Sequence, residues 1–107
     1  MSLPDQNAVE KALHYLAETD EKYGRLKARV KALEHEAKVI KGLTFLESTG
    51  TVAEREALAT SCQTYRAFVN DLENAVADME IIRAKRKRAE LTIDLFRTVE
   101  ASRRAGS

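Results

Sequence analysis

The sequence predicts an all-α chain, an antiparallel two-helix hairpin that oligomerises into a four-helix or larger bundle, and three observations carry that expectation. Apolar residues recur at helix spacing over about forty residues and again over about fifty. One break, Ser48-Thr49-Gly50-Thr51, separates the two stretches. The composition is that of long exposed helices: 33% of the 107 residues are charged, with 4 Gly, 1 Pro and no Trp. A single domain over residues 1–107 follows, with helices over about 5–48 and 52–104 and a turn at 49–51.

The first helix is expected to start near Pro4 or Asp5. Ser2 or Asn7 is its cap, because Asp5 and Glu10 stand three residues after them. Val9, Leu16, Tyr23, Val30 and Ala37 then form one row of a seven-residue pattern. Ala12, Leu26, Leu33 and Ile40 form the other, with Thr19 as the polar exception. Such paired rows are a coiled-coil seam. Leu43, Phe45 and Leu46 widen the apolar face near the turn beyond what one partner helix can cover. Gly24 and Gly42 read as points of close helix approach, since each weakens a helix interior by about 1 kcal/mol relative to Ala.

At the break, Thr49 and Gly50 close the first helix, Gly taking the left-handed conformation without steric cost. Thr51 and Glu54 then form a capping box that starts the second. Leu58, Cys62, Tyr65, Val69, Leu72, Val76 and Met79 continue the seam. After Met79 the apolar residues Ile82, Ala89, Ile93 and Phe96 come one step early, which reads as a stammer that overwinds the supercoil.

Helices of that length span on the order of 65–80 Å. A lone hairpin buries one stripe per helix, so a second face, supplied by Leu43, Phe45, Leu46, Phe68, Ile81, Leu91 and Leu95, is the candidate oligomer interface. The chain itself is therefore the first expected partner.

Charge is unevenly placed although the formal net charge is +1. Residues 51–82 hold 2 basic and 6 acidic side chains, while residues 83–107 hold 8 basic and 3 acidic ones. In a hairpin the acidic stretch Asp71 to Glu80 would face Lys22, Arg25, Lys27 and Arg29. The cluster Arg83, Lys85, Arg86, Lys87, Arg88 has fewer expected partners, and with Arg103 and Arg104 it is the candidate nucleic-acid or anion-binding site. Arg86 falls on the apolar row, so that level should be open, wet, or neutralised by an acidic group of another chain.

Sharper chemistries find no residues to carry them. His14 and His35 are about 30 Å apart on one helix and neither belongs to a Glu-x-x-His pair, so no metal or other cofactor is expected. Cys62 is a small apolar seam residue without a histidine near it. No Gly-rich phosphate loop or Ser-His-Asp arrangement stands in the chain, and no catalytic residue is assigned. The single Cys, the absence of a charged-then-apolar leader at Met1 and the lack of a run of roughly 20 apolar residues point to the cytoplasm, with no membrane partner.

Ser48-Thr49-Gly50-Thr51-Val52-Ala53-Glu54-Arg55-Glu56-Ala57, with Arg86-Lys87-Arg88-Ala89-Glu90-Leu91 and Arg103-Arg104-Ala105-Gly106, resembles a group of small uncharacterised helical proteins of bacteriophages and prophages. The similarity runs over most of the chain. Such proteins are often encoded among genes for DNA replication and recombination. The resemblance implies a non-enzymatic accessory protein of phage DNA metabolism in the host cytoplasm, partnered by a DNA-processing protein. It carries no catalytic motif. Two alternatives stand beside it: direct nucleic-acid binding through the basic cluster, and sequestration of a small anionic, nucleotide-like ligand between subunits.

Overall fold

The computed structural model describes residues 2–106; the reading of the chain's start at Met1 and the closing Ser107 lie outside them. The described residues are all-α, in three helices: α1 Gln6–Glu47, α2 Val52–Ser61 and α3 Gln63–Gly106. Among the described residues, no helix is long and apolar enough to cross a membrane.

Asp5 starts α1. Its carboxylate accepts the Ala8 N–H at 2.8 Å and its carbonyl accepts the Val9 N–H at 3.1 Å. Ser2 and Asn7 are therefore not the cap: a carboxylate three residues before a free N–H also favours the positive end of the helix dipole. Gly50 has φ of 116°, a conformation that L side chains rarely adopt, as the turn requires. Thr51 caps α2, its hydroxyl accepting the Glu54 N–H at 3.1 Å. Only this half of the capping box forms among the described residues. The Glu54 carboxylate lies over Gly50 instead, where a Cβ would come within 2.7 Å of its Oε2.

The second expected helix is two helices, broken at Cys62. Cys62 has φ of −64° and ψ of 144°, closing α2 through its N–H to the Leu58 carbonyl. Its own carbonyl accepts the Arg66 N–H at 3.1 Å, which starts α3. Side-chain bonds gather at the break: Thr60 donates to the Glu56 and Ala57 carbonyls, Ser61 to that of Leu58 and Cys62 to that of Ala59. The break also changes the phase of the buried face, so Ala59 is buried at 0% exposure while Leu58, expected on the seam, is exposed.

The chain forms two compact units. One takes the chain up to Gly24 together with Glu80 onward, and its core is Ala12, Ala89 and Ile93, against which Val9, Tyr15 and Leu16 pack. The other is Arg25–Met79, with Val30, Leu33, Ala37, Ala59, Ala75 and Met79 buried. No buried side chain among the described residues is polar or charged. Apart from Ala59, the buried apolar residues keep 4–9% of their surface exposed, as thin cores built from one stripe per helix do.

The seam itself is regular. Along α1 the covered residues are Val9, Ala12, Leu16, Thr19, Tyr23, Leu26, Val30, Leu33, Ala37, Ile40 and Thr44, in alternating steps of three and four. Along α3 they include Tyr65, Phe68, Leu72, Ala75, Met79, Ile82, Arg86, Ala89, Ile93 and Phe96, in the same alternation without interruption. The stammer expected after Met79 is absent. It arose from placing Val69 and Val76 in the row, where Phe68 and Ala75 keep the strict register and Arg86 fills the next step.

Gly24 and Gly42 are not points of close approach, since a Cβ at either would meet nothing within 4 Å. Gly42→Ala should therefore stabilise the fold by up to about 1 kcal/mol through helix propensity. Gly50→Ala should cost about 1–2 kcal/mol through its backbone conformation and the Glu54 side chain. Urea denaturation followed by circular dichroism separates the two, with opposite shifts of midpoint.

Candidate functional site

The five basic residues of the cluster divide into two groups. Arg83 and Arg86 are held by the protein itself. Arg83 donates from Nε to the Tyr23 hydroxyl at 3.0 Å and from an amino group to Glu80 at 2.9 Å. Its guanidinium pKa is raised from the ordinary value, first by the Tyr23 hydrogen bond and then by the Glu80 charge, so it remains a cation.

Arg86 is the more constrained. One amino group donates to the Leu16 carbonyl at 2.9 Å and to the Thr19 hydroxyl at 2.7 Å, and the other to Asp20 at 2.6 Å. The guanidinium also stands 5.3 Å from the centre of the Tyr23 ring. Its side chain is 16% exposed, against 68% for Asp20. The level that looked open to solvent, or completed by another chain, is thus closed by Asp20 of the same chain. Thr19 and Arg86, both polar residues standing in largely apolar rows, are partners.

Lys85, Lys87 and Arg88 form the other group. All three are exposed, and none has an ion pair or hydrogen bond among the described residues. At about 100° per residue, Lys85 and Arg88 lie some 60° apart on α3 while Lys87 lies on a different side. Arg103 pairs with Glu100 at 3.2 Å, and both Arg103 and Arg104 lie in the last turn of α3, where cations offset the negative end of the helix dipole. The seven cations of the candidate site, the five of the cluster and the two near the end of α3, thus stand in different surroundings. Three cations are presented without a partner; at least three are engaged in the fold or at the helix end.

Lys85 and Arg88 border two adjoining grooves in the first unit. One is lined by Leu3, Pro4, Ala8, Leu91, Thr92 and Leu95 beside Arg88. The other is lined by Ala8, Ala12, Tyr15, Ala89 and Thr92, with Lys11, Lys85 and Arg88 around it. Shared residues Ala8, Arg88 and Thr92 join them into one trough with an apolar floor.

The residues expected at an oligomer interface also divide. Phe45 is half-buried, its ring under the Arg55 guanidinium at 4.1 Å, while Arg55 donates to the Phe45 carbonyl at 2.8 and 3.0 Å. Phe68 is half-buried on the α3 seam. Both are thus used within the chain. Leu43, Leu46, Ile81, Leu91 and Leu95 are exposed. Pattern reading missed Val39, also exposed, which stands at i−4 from Leu43 and extends that row.

Cys62 is a free, half-covered thiol whose sulfur lies 3.7 Å from the Thr44 hydroxyl. His14 pairs with Glu18 on its own helix at 3.4 Å. Among the described residues no group of three or more His, Cys, Asp or Glu could hold a metal ion.

Because Asp20 is mostly in water, its ion pair with Arg86 is worth under about 1 kcal/mol. The bonds of Arg86 to Thr19 and Leu16 are better shielded and carry a charged donor, each worth about 1.5–3 kcal/mol. Asp20→Asn should accordingly cost less than about 1 kcal/mol. Arg86→Ala should cost about 2 kcal/mol or more in urea denaturation. Equal losses would show that the exposed ion pair, not the bonds to Thr19 and Leu16, holds Arg86.

No protein-family model matches the chain, and neither does any curated protein or solved structure.

Proposed function

We propose that this chain is a non-enzymatic helical interaction protein whose α1 and α3 are antiparallel arms of a hairpin, and whose copies associate through the exposed row Val39, Leu43, Leu46. The antiparallel reading is supported within the first unit, where Tyr23 meets Arg83, Thr19 meets Arg86 and Ala12 clusters with Ile93, so that rising numbers on one helix meet falling numbers on the other. Self-association rests on one observation. Val39, Leu43 and Leu46 stand at i, i+4 and i+7 on one side of α1 and keep 38%, 49% and 73% of their surface exposed.

A two-fold contact along that row places leucine against leucine with no charge within it, which is the condition for an isologous apolar interface. Joining two hairpins in this way makes a four-helix arrangement. The task proposed for the assembly is an accessory one in phage DNA metabolism, carried out with a DNA-processing protein. That part rests on the resemblance to helical phage proteins alone.

Light scattering should give a dimer or larger species. Leu43→Glu with Leu46→Glu should reduce it to a monomer of unchanged helicity, because both positions are already in water in the single chain. A wild-type monomer at about 100 µM would overturn the proposed self-association.

Direct nucleic-acid binding is kept as a second reading by one observation, that Lys85, Lys87 and Arg88 of the cluster have no partner among the described residues. With three phosphate contacts, log affinity for duplex DNA should fall against log salt with a slope of about −3. Reversing all three charges should abolish binding. Absence of a salt-dependent anisotropy change with a labelled duplex would remove this reading.

A further inference from the structure

We infer that the trough of the first unit docks an acidic amphipathic helix of a partner protein. The inference rests on reading the chain as an interaction protein but not on its self-association.

The trough has the two properties that such a ligand needs. Its floor is apolar, with Leu3, Ala8, Tyr15, Leu91 and Leu95 from both walls. From Lys85 to Leu95 the α3 wall runs about 15 Å, the length of a three-turn helix that can insert apolar side chains at i, i+4 and i+7. Its rim is positive. Lys11, Lys85 and Arg88 border it without any hydrogen bond or ion pair among the described residues. Among the described residues that line it, the carboxylate is Asp5, which accepts the Ala8 N–H as the α1 cap.

Charge decides among the occupants. The same face of a second copy would bring six cations together around one apolar contact, so isologous pairing here is opposed. The row Val39, Leu43, Leu46 contains no cation itself, and the two surfaces are suited to different occupants. Nucleic acid would use the cations but gains nothing from Leu91 and Leu95, and no feature of a plain polyanion selects Lys85 and Arg88 over the equally exposed Lys87. An acidic helix uses the floor and the rim together and leaves Lys87 aside.

The test uses a fluorescein-labelled helical peptide with leucines at i, i+4 and i+7 flanked by glutamates, and a second peptide with lysines in place of the glutamates. In anisotropy titrations with the full chain the glutamate peptide should bind saturably and the lysine peptide should not. Lys85→Glu with Arg88→Glu should weaken the glutamate peptide by about tenfold or more and allow the lysine peptide to bind, while Lys87→Glu should change either by less than about twofold. Leu91→Ser with Leu95→Ser should also abolish binding, with circular dichroism checking that helicity is kept.

The proposal fails if the glutamate peptide shows no saturable binding up to about 1 mM. It fails equally if both peptides bind alike, if Lys87→Glu is as damaging as the pair, or if a duplex DNA displaces the peptide and binds independently of Leu91 and Leu95. Light scattering on the same samples reports self-association separately, so loss of one result leaves the other readable.

Discussion

The pairing of Arg86 with Thr19 is the constraint on which the first unit depends. A heptad seam of Val, Ala, Leu and Ile is nearly periodic, so helices packed through it could slide by seven residues with little loss of apolar contact. Arg86 removes that freedom. In the observed register its guanidinium finds the Thr19 hydroxyl, the Leu16 carbonyl and Asp20. A shift of one heptad in either direction would set it against the level of Ala12 or Leu26, where the seam offers an apolar side chain and the charge would lose its hydroxyl partner. Tyr23 and Arg83, one turn along, repeat the same specification.

Thin cores make such specification necessary. Most core residues of both units keep a few per cent of their surface in water, and several are alanines. Alanine contributes little burial free energy and no shape that a neighbour must fit, so packing alone discriminates weakly between registers. The polar layer contributes modest stability and a large difference between the right and the wrong alignment. A part-covered cation in this setting is thus better understood as choosing a structure than as strengthening one.

Much of this was legible in the sequence, and the failures have physical causes. Both rows of α1 could be read because most of its covered residues are apolar and recur at strict heptad spacing. The Gly50 turn was legible because few residues tolerate a φ of 116°. The break at Cys62 was not. Thr60, Ser61 and Cys62 are individually compatible with a helix, and only the structure shows their side chains all returning to carbonyls of the preceding turn. The apparent stammer came from weighting hydrophobicity above register: Val76 looks more like a core residue than Ala75, yet Ala75 is the more deeply buried. A run of three hydroxyl or thiol residues, and a strict count of seven through an alanine and an arginine, were the available signals.

The same partition explains why a cluster of five cations in six positions did not define a site by itself. A helix turns about 100° per residue, so neighbours in sequence are scattered around its axis and only their surroundings decide what each can do. Arg86 faces the seam and becomes structural, and Arg83 reaches a tyrosine on the neighbouring segment. Lys85 and Arg88 border an apolar trough, and Lys87 lies away from it. A flexible, strongly hydrated lysine and a planar arginine at the edge of apolar surface keep their charges in water while their stems extend the floor. Whatever occupies that trough must present carboxylates at its margins and aliphatic groups at its centre, and a plain polyanion satisfies only the first of these conditions.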